Sequence, residues 1–321
     1  LTPVANTLAT RLDEDLWLLD TCFQGVQGVI ASYLLVGPGG LALVDVGAAG
    51  TVEQLFGAVH AAGHDPEAIQ QIVLTHIHLD HAGASGTIVR RLPRARVYVH
   101  RRGAEHLVDP ARLLSSAQRI YGERMRELWG DIEPVPADRL VVIDEGAELH
   151  VGGRALRALY TPGHAVHHVA YHDGQRSTLF AGDVAGVRLA GVDFVRPPTP
   201  PPDLSLEEWF ASLDRLAGLG LKEMYLAHFG PSRNVNAHFE ELRARLVNWG
   251  RLMLAGMRAG EDDEALAADL ARAGDELIVR AARGPREPDD VLARYEIATN
   301  YRMSAQGYVR YYRKHHPELL A

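Results

Sequence analysis

The chain has 321 residues, 47% hydrophobic and 23% charged, a balance that suits a soluble globular protein able to bury a large core. Its 33 basic and 41 acidic residues give a formal net charge of -8, which argues against nucleic acid, a partner that asks for a basic surface. The single cysteine, Cys22, excludes an internal disulfide and a thiolate metal site and favours the cytoplasm, while no apolar stretch approaches a membrane span.

Residues Leu1 to Asp15 carry no signal-peptide pattern, although a start at Leu1 is compatible with a leader having been removed. Leu16 to Asp20, Val29 to Val36 and Leu41 to Val44 read as the first strands, with Gly37-Pro38-Gly39-Gly40 as a hairpin turn. Thr51 to Ala62 reads as a helix, because Val52, Leu55, Phe56 and Val59 recur at helical spacing. The apolar run Gln71 to Thr75 is a short buried strand, and Ala82 to Thr87 reads as a helix start. Between them lies Thr75-His76-Ile77-His78-Leu79-Asp80-His81. Imidazole and carboxylate are the ligands that divalent metals such as zinc prefer. On a strand-to-helix turn, His76 and His78 can face one way and Asp80 and His81 a neighbouring point, enough to seat two ions side by side.

Arg94 to His100 reads as a further strand. Residues 101–138 then interrupt the alternation of strand and helix, with one helical pattern from Ala111 to Trp129 ending at Gly130. A second strand-rich stretch runs from Leu140 to His172, with turns at Asp144-Glu145-Gly146 and Gly152-Gly153. Arg196 to Pro202 is proline-rich and stiff, and reads as a spacer crossing the surface in preference to a rigid wall of a site mouth between Asp183 and His228. Ser205-Leu206-Glu207-Glu208 matches a capping box, and the helix after it runs to about Leu219. From residue 236 onward the pattern is helical, with Phe239, Leu242, Leu246, Trp249 and Met253 in register. Tyr295, Tyr301, Tyr308, Tyr311 and Tyr312 read as core or homodimer contact rather than as a substrate surface. Tyr121 reads as packing in preference to an oxyanion donor, and His167 and His168 as core or solvent-facing strand residues in preference to hydrogen-bonding supports of a ligand. The expected organisation is a catalytic domain over 1–235, carrying the insert at about 101–138, and a helical extension over 236–321.

The motif Thr75 to His81 resembles that of the metallo-β-lactamase superfamily. Three further motifs stand in that family's order: Thr161-Pro162-Gly163-His164, then Ala181-Gly182-Asp183 after an apolar strand, then His228 in Ala227-His228-Phe229-Gly230. The resemblance covers roughly residues 12 to 235 and implies an α/β fold, a four-layer αββα sandwich, with the C-terminal helices added. It implies one metal on His76, His78 and His164, a second on Asp80, His81 and His228, and Asp183 bridging both. Aspartate at position 183 is closest in kind to hydroxyacylglutathione hydrolases and lactonases. The implied activity is a dinuclear metal-dependent hydrolase in which a metal-bridging hydroxide attacks an ester, thioester or lactone carbonyl of a small molecule, with Asp80 orienting that nucleophile. Zinc is the expected ion, with iron or manganese as alternatives. An iron-dependent dioxygenase of the same fold is the rival reading, and a nuclease or phosphodiesterase a more distant one. Neither a nucleic-acid nor a membrane partner is expected.

Overall fold

The computed structural model describes residues 7–321. The chain divides into two compact units, one holding the residues up to Tyr160 with Val169–Phe180, the other Thr161–His168 with Ala181–Ala321. No helix among the described residues is long and apolar enough to cross a membrane.

The first unit begins with strands β1 (Ala9–Asp13), β2 (Leu16–Asp20), β3 (Ala31–Gly37) and β4 (Gly40–Val44), each antiparallel to the next. Helix α1 (Val52–Ala61) then crosses over to β5 (Ile69–Val73), which lies parallel to β4. The helices α2 (Leu79–Ala82) and α3 (Ser85–Arg91) lead to β6 (Arg96–His100), also parallel. Helices α4 (Arg101–Val108), α5 (Ala111–Tyr121) and α6 (Met125–Trp129) precede β7 (Leu140–Ile143), which completes a sheet ordered as in the sequence. Four antiparallel strands follow, β8 (Glu148–Val151), β9 (Arg154–Tyr160), β10 (Val169–Asp173) and β11 (Thr178–Phe180).

The core of this unit forms where α1 and α3 cover the first sheet. Leu55 and Val59 of α1, Ile88 of α3, and Leu43, Ile72 and Val97 of the strands are all fully buried together. At about 25 cal/mol per Å² of apolar surface, such burial is the main term fixing the sheet under the loops that leave its edge. The second set of strands is tied to the first sheet at the point that matters for function. The Tyr171 hydroxyl donates to the Leu74 carbonyl at 2.6 Å, and the Val169 N–H to the Thr75 carbonyl at 2.7 Å. Both anchors sit at the entrance to the histidine turn.

The second unit contains α7 (Leu206–Ala217), the strand pair β12 (Glu223–Leu226) and β13 (Gly230–Ser232), and the long helices α8 (Val235–Ala259), α9 (Asp263–Ala281), α10 (Pro288–Ala298) and α11 (Tyr301–His315). Ser205 caps α7 by accepting from the Glu208 N–H at 3.4 Å, as the capping-box pattern predicts. The apolar stripe of α8 is buried at Phe239, Leu242, Leu246, Trp249 and Met253. The tyrosines near the C-terminus are packing residues: all five predicted ones are buried.

Three expectations need correction. The single helix over 111–129 is two, since Gly122 takes a positive φ of 56° and breaks the ladder into α5 and α6. Strand β1 is additional to the predicted elements; its mixed sequence, Ala9-Thr10-Arg11-Leu12-Asp13, shows a poor alternation because most of it is exposed. The proline-rich segment is not a surface spacer: Arg196, Pro197, Pro198 and Thr199 are buried. Proline has no N–H to satisfy, so such a segment can enter a core with few orphan donors.

Candidate metal centre

In the first unit the strand-to-helix turn holds His76, His78, Asp80 and His81 together. The chain leaves β5 at Val73, His76 and His78 lie in the turn, and Asp80 and His81 fall in the short α2. His76 and His81 are fully buried. The Nε2 of His76 lies 3.0 Å from Nδ1 of His78, and Nε2 of His81 lies 3.3 Å from an Asp80 carboxylate oxygen.

These rings are oriented by a carboxylate absent from the sequence expectations, Asp45. It follows β4 directly, is 3% exposed, and has a positive φ of 56°. One oxygen accepts from the Thr75 N–H at 2.8 Å; the other accepts from the Thr75 hydroxyl at 2.7 Å and from His81 Nδ1 at 2.9 Å. With its proton committed to Asp45, the Thr75 hydroxyl is left to accept from His76 Nδ1 at 3.0 Å. The same logic therefore puts a proton on Nδ1 of both His76 and His81 and leaves both Nε2 atoms unprotonated. Thr75 is the relay between Asp45 and His76.

Tyr121, at the end of α5, packs edge-on against Trp129 with ring centroids 5.1 Å apart. Burial pushes its phenol up, and the Asp80 carboxylate pushes it further. It is a packed residue within electrostatic range of Asp80.

In the second unit His164, Asp183 and His228 come together, each almost fully buried. Asp183 sits in a 3-10 turn, Gly182–Ala185. One of its oxygens lies 3.4 Å from Nε2 of His164 and the other 3.4 Å from Nε2 of His228. His164 donates from Nδ1 to the Pro198 carbonyl at 2.8 Å, which again leaves Nε2 unprotonated. Gly163, just before it, has a φ of 132°, and any Cβ there would run into the backbone of Trp209. Trp209 in turn donates to the Val184 carbonyl at 2.8 Å, so α7 braces both the His164 loop and the Asp183 turn.

His168 belongs to this support. Its Nε2 accepts from the backbone N–H groups of Asp183 and Val184 at 3.0 and 3.3 Å, and its Nδ1 donates to the Thr161 hydroxyl at 2.8 Å. The expectation of an ordinary core or solvent-facing histidine is corrected here: His168 is buried, but its polar atoms hold the Asp183 turn. His238 of α8 does the same from the other side, donating from Nε2 to the Ala185 carbonyl at 2.7 Å. Burial pushes the His238 imidazole down to about 4, so it is a neutral support at physiological pH.

The donor spacing suits a divalent ion. Zinc–nitrogen and zinc–oxygen bonds of roughly 2.0–2.2 Å across a tetrahedral angle place two ligand atoms about 3.3 Å apart. The four pairs described within the two units lie at 3.0, 3.3, 3.4 and 3.4 Å. Such spacing is long for a hydrogen bond between most of these groups and short for unrelated side chains.

The chain matches the metallo-beta-lactamase superfamily over residues 25–228, and it belongs to that family. Its fold is the α/β fold of the family with added C-terminal helices. It is 31% identical over 165 residues to the metallo-beta-lactamase fold-containing protein ST1585 of Sulfurisphaera tokodaii, covering 50% of this chain and 61% of the other. It is 25% identical over 244 residues to an atrochrysone carboxyl ACP thioesterase of Aspergillus fumigatus, covering 76% and 64%. The chain thus spans a little under two thirds of the length of these curated relatives. A crystal structure of the metallo-beta-lactamase family protein TTHA1429 of Thermus thermophilus superposes with a TM-score of 0.63 at 26% identity, covering 95% of each chain.

Proposed function

We propose that the chain is a dinuclear metal-dependent hydrolase acting on an ester, thioester or lactone carbonyl of a small molecule, with zinc as the ion. One observation carries the reading. Four donor pairs at 3.0–3.4 Å each join residues that the family ligand order assigns to the same ion. His76 with His78, and His164 with Asp183, fall to the first; Asp80 with His81, and His228 with Asp183, fall to the second. Asp183 turns one oxygen toward each histidine of its unit, the arrangement a shared carboxylate requires.

Bound ions would supply Lewis acidity for the carbonyl and would acidify a bound water. The chain's own groups do the rest. Asp45, Thr75 and the Pro198 carbonyl hold the protons of three imidazoles on Nδ1, so that their Nε2 atoms stay basic. Asp80, with 17% of its side chain exposed against 5% for Asp183, is the carboxylate placed to orient a water and take its proton. The relative named as a thioesterase makes a thioester the first substrate to try. The acidic balance of the chain supports a small-molecule substrate over nucleic acid, and the lone cysteine supports the cytoplasm.

The test is metal analysis of the wild-type protein and the Asp183→Ala variant, followed by a thioester, lactone and phosphodiester panel. Two ions per wild-type chain, loss of at least one in the variant, and anaerobic hydrolysis of a carbonyl substrate are expected. Full metal content and normal turnover in Asp183→Ala would remove the dinuclear reading. Activity found only with iron, and with stoichiometric oxygen consumption, would replace hydrolysis with oxygenation.

A further inference from the structure

The last long helix, α11, reaches the metal centre through the buried proline segment. His164 donates from Nδ1 to the Pro198 carbonyl, and that single bond sets both the tilt of the ring and its tautomer. The position of the Pro198 carbonyl therefore decides where Nε2 points. Neither Pro197 nor Pro198 has an N–H, so this stretch cannot be held by backbone donors of its own. It is held at its two ends. On one side the Arg196 backbone pairs with Val187 at 2.8 and 2.9 Å, and its buried guanidinium lies over the Tyr301 ring at 3.5 Å and donates to Glu296 at 2.6 Å. On the other side the Thr199 hydroxyl donates to the Ser304 carbonyl at 3.2 Å. The Thr199 carbonyl is pressed against Gly307, where any Cβ would overlap its oxygen. Tyr301, Ser304 and Gly307 are spaced at three residues along one face of α11, the face that meets the segment.

We propose that α11 is a positioning element for the metal site, in which Gly307 and its neighbours seat Thr199 and thereby fix the Pro198 carbonyl that orients His164. The inference rests on His164 being a metal ligand. It gives the C-terminal helices a role in metal binding that does not need contact with substrate. Gly307 is the sharpest probe. Glycine is among the poorest residues for a helix interior, so its presence in α11 answers to the close approach of Thr199 rather than to the helix itself.

The experiment uses the full chain, stripped of metal and titrated with zinc against a chromophoric chelator, with the cobalt(II) absorption spectrum as a report on coordination. Four proteins are compared: wild type, Gly307→Ala, His164→Ala and the double variant. Gly307→Ala is expected to weaken one of the two ions by 10- to 100-fold and alter the cobalt spectrum, as loss of a support to a ligating histidine does. In the His164→Ala background the same substitution should have no further effect on metal affinity, because the ring it acts through is gone. If His164→Ala leaves metal binding intact, the ligand assignment fails and the inference with it. If His164→Ala loses an ion but Gly307→Ala binds as wild type, the ligand assignment stands and the role of α11 is overturned. Equal losses from Gly307→Ala in both backgrounds would also overturn it, as the mark of general destabilisation. Should Gly307→Ala fail to fold, Thr199→Val removes only the hydroxyl bond to Ser304 and is scored by the same comparison.

Discussion

Replacing Asp45 by asparagine exchanges one buried oxygen for an amide NH₂, and the hydrogen-bond chain around it leaves no neutral way to absorb the change. If the NH₂ takes the place of the oxygen shared by the Thr75 hydroxyl and His81, an acceptor of two bonds becomes a donor. His81 must then move its proton to Nε2. The Thr75 hydroxyl, freed from Asp45, turns to donate to His76 Nδ1, and His76 shifts its proton as well. Two Nε2 lone pairs are lost to the metal at once. If the amide flips instead, its NH₂ faces the Thr75 N–H, and a buried donor set against a donor costs about 1–3 kcal/mol. The backbone adds no complication, because asparagine tolerates the left-handed conformation of position 45 at least as well as aspartate. The expected result is a 10- to 100-fold loss of zinc affinity, about 1.4–2.7 kcal/mol. Chelator competition on the metal-free protein measures it, and urea unfolding of the same sample separates the stability term. A variant that folds and binds zinc as tightly as wild type would refute the tautomer argument.

Further outcomes follow from the supports. Because His238 is pushed down to about 4 from 6.5, its stabilisation is full above pH 6.5 and drains away as pH falls to 4. The shift corresponds to about 3 kcal/mol, and urea midpoints taken across that window should show a slope that His238→Gln flattens. Gly163→Ala should destabilise by about 1–3 kcal/mol or prevent folding, since it needs both an unfavourable φ and displacement of Trp209, and thermal unfolding of the metal-free protein reads it directly.

What the sequence makes legible follows the chemistry. The proposed ligand residues stand out because a divalent ion accepts few side-chain types, and four of them crowd into Thr75 to His81. Their supports do not stand out. Asp45 leaves one weak trace, a charge closing the apolar run Leu41 to Val44, but its partners lie 30 and 36 residues away. His168 looks like any histidine entering a strand, and only the folded turn at Asp183 gives it donors. The support of His164 is a carbonyl, which any residue supplies, so no residue type at position 198 could announce it. The prolines around it mislead in a definite way: their stiffness is readable, whereas their burial depends on what the distant helix α11 brings to them. Helix periodicity gave the long α8 clearly, yet the break at Gly122 turned on one backbone angle.

The Tyr308 hydroxyl donates to the Leu246 carbonyl at 3.0 Å and the Tyr312 hydroxyl to the Gly250 carbonyl at 2.8 Å. The step is four residues on α11 and four on α8, so the two phenols act as paired teeth on a rack whose pitch is one helical turn. A slip of α11 by one turn would carry the Tyr312 hydroxyl from Gly250 to Leu246 or Leu254, where a side chain replaces the glycine, and a smaller slip would disengage both. Gly250 leaves room for the second tooth, since a Cβ there would lie 3.0 Å from the Tyr312 oxygen. The pair therefore admits one longitudinal setting of α11 against α8. Through that setting a helix near the end of the chain works as a length gauge, delivering Gly307 to Thr199 at a fixed height.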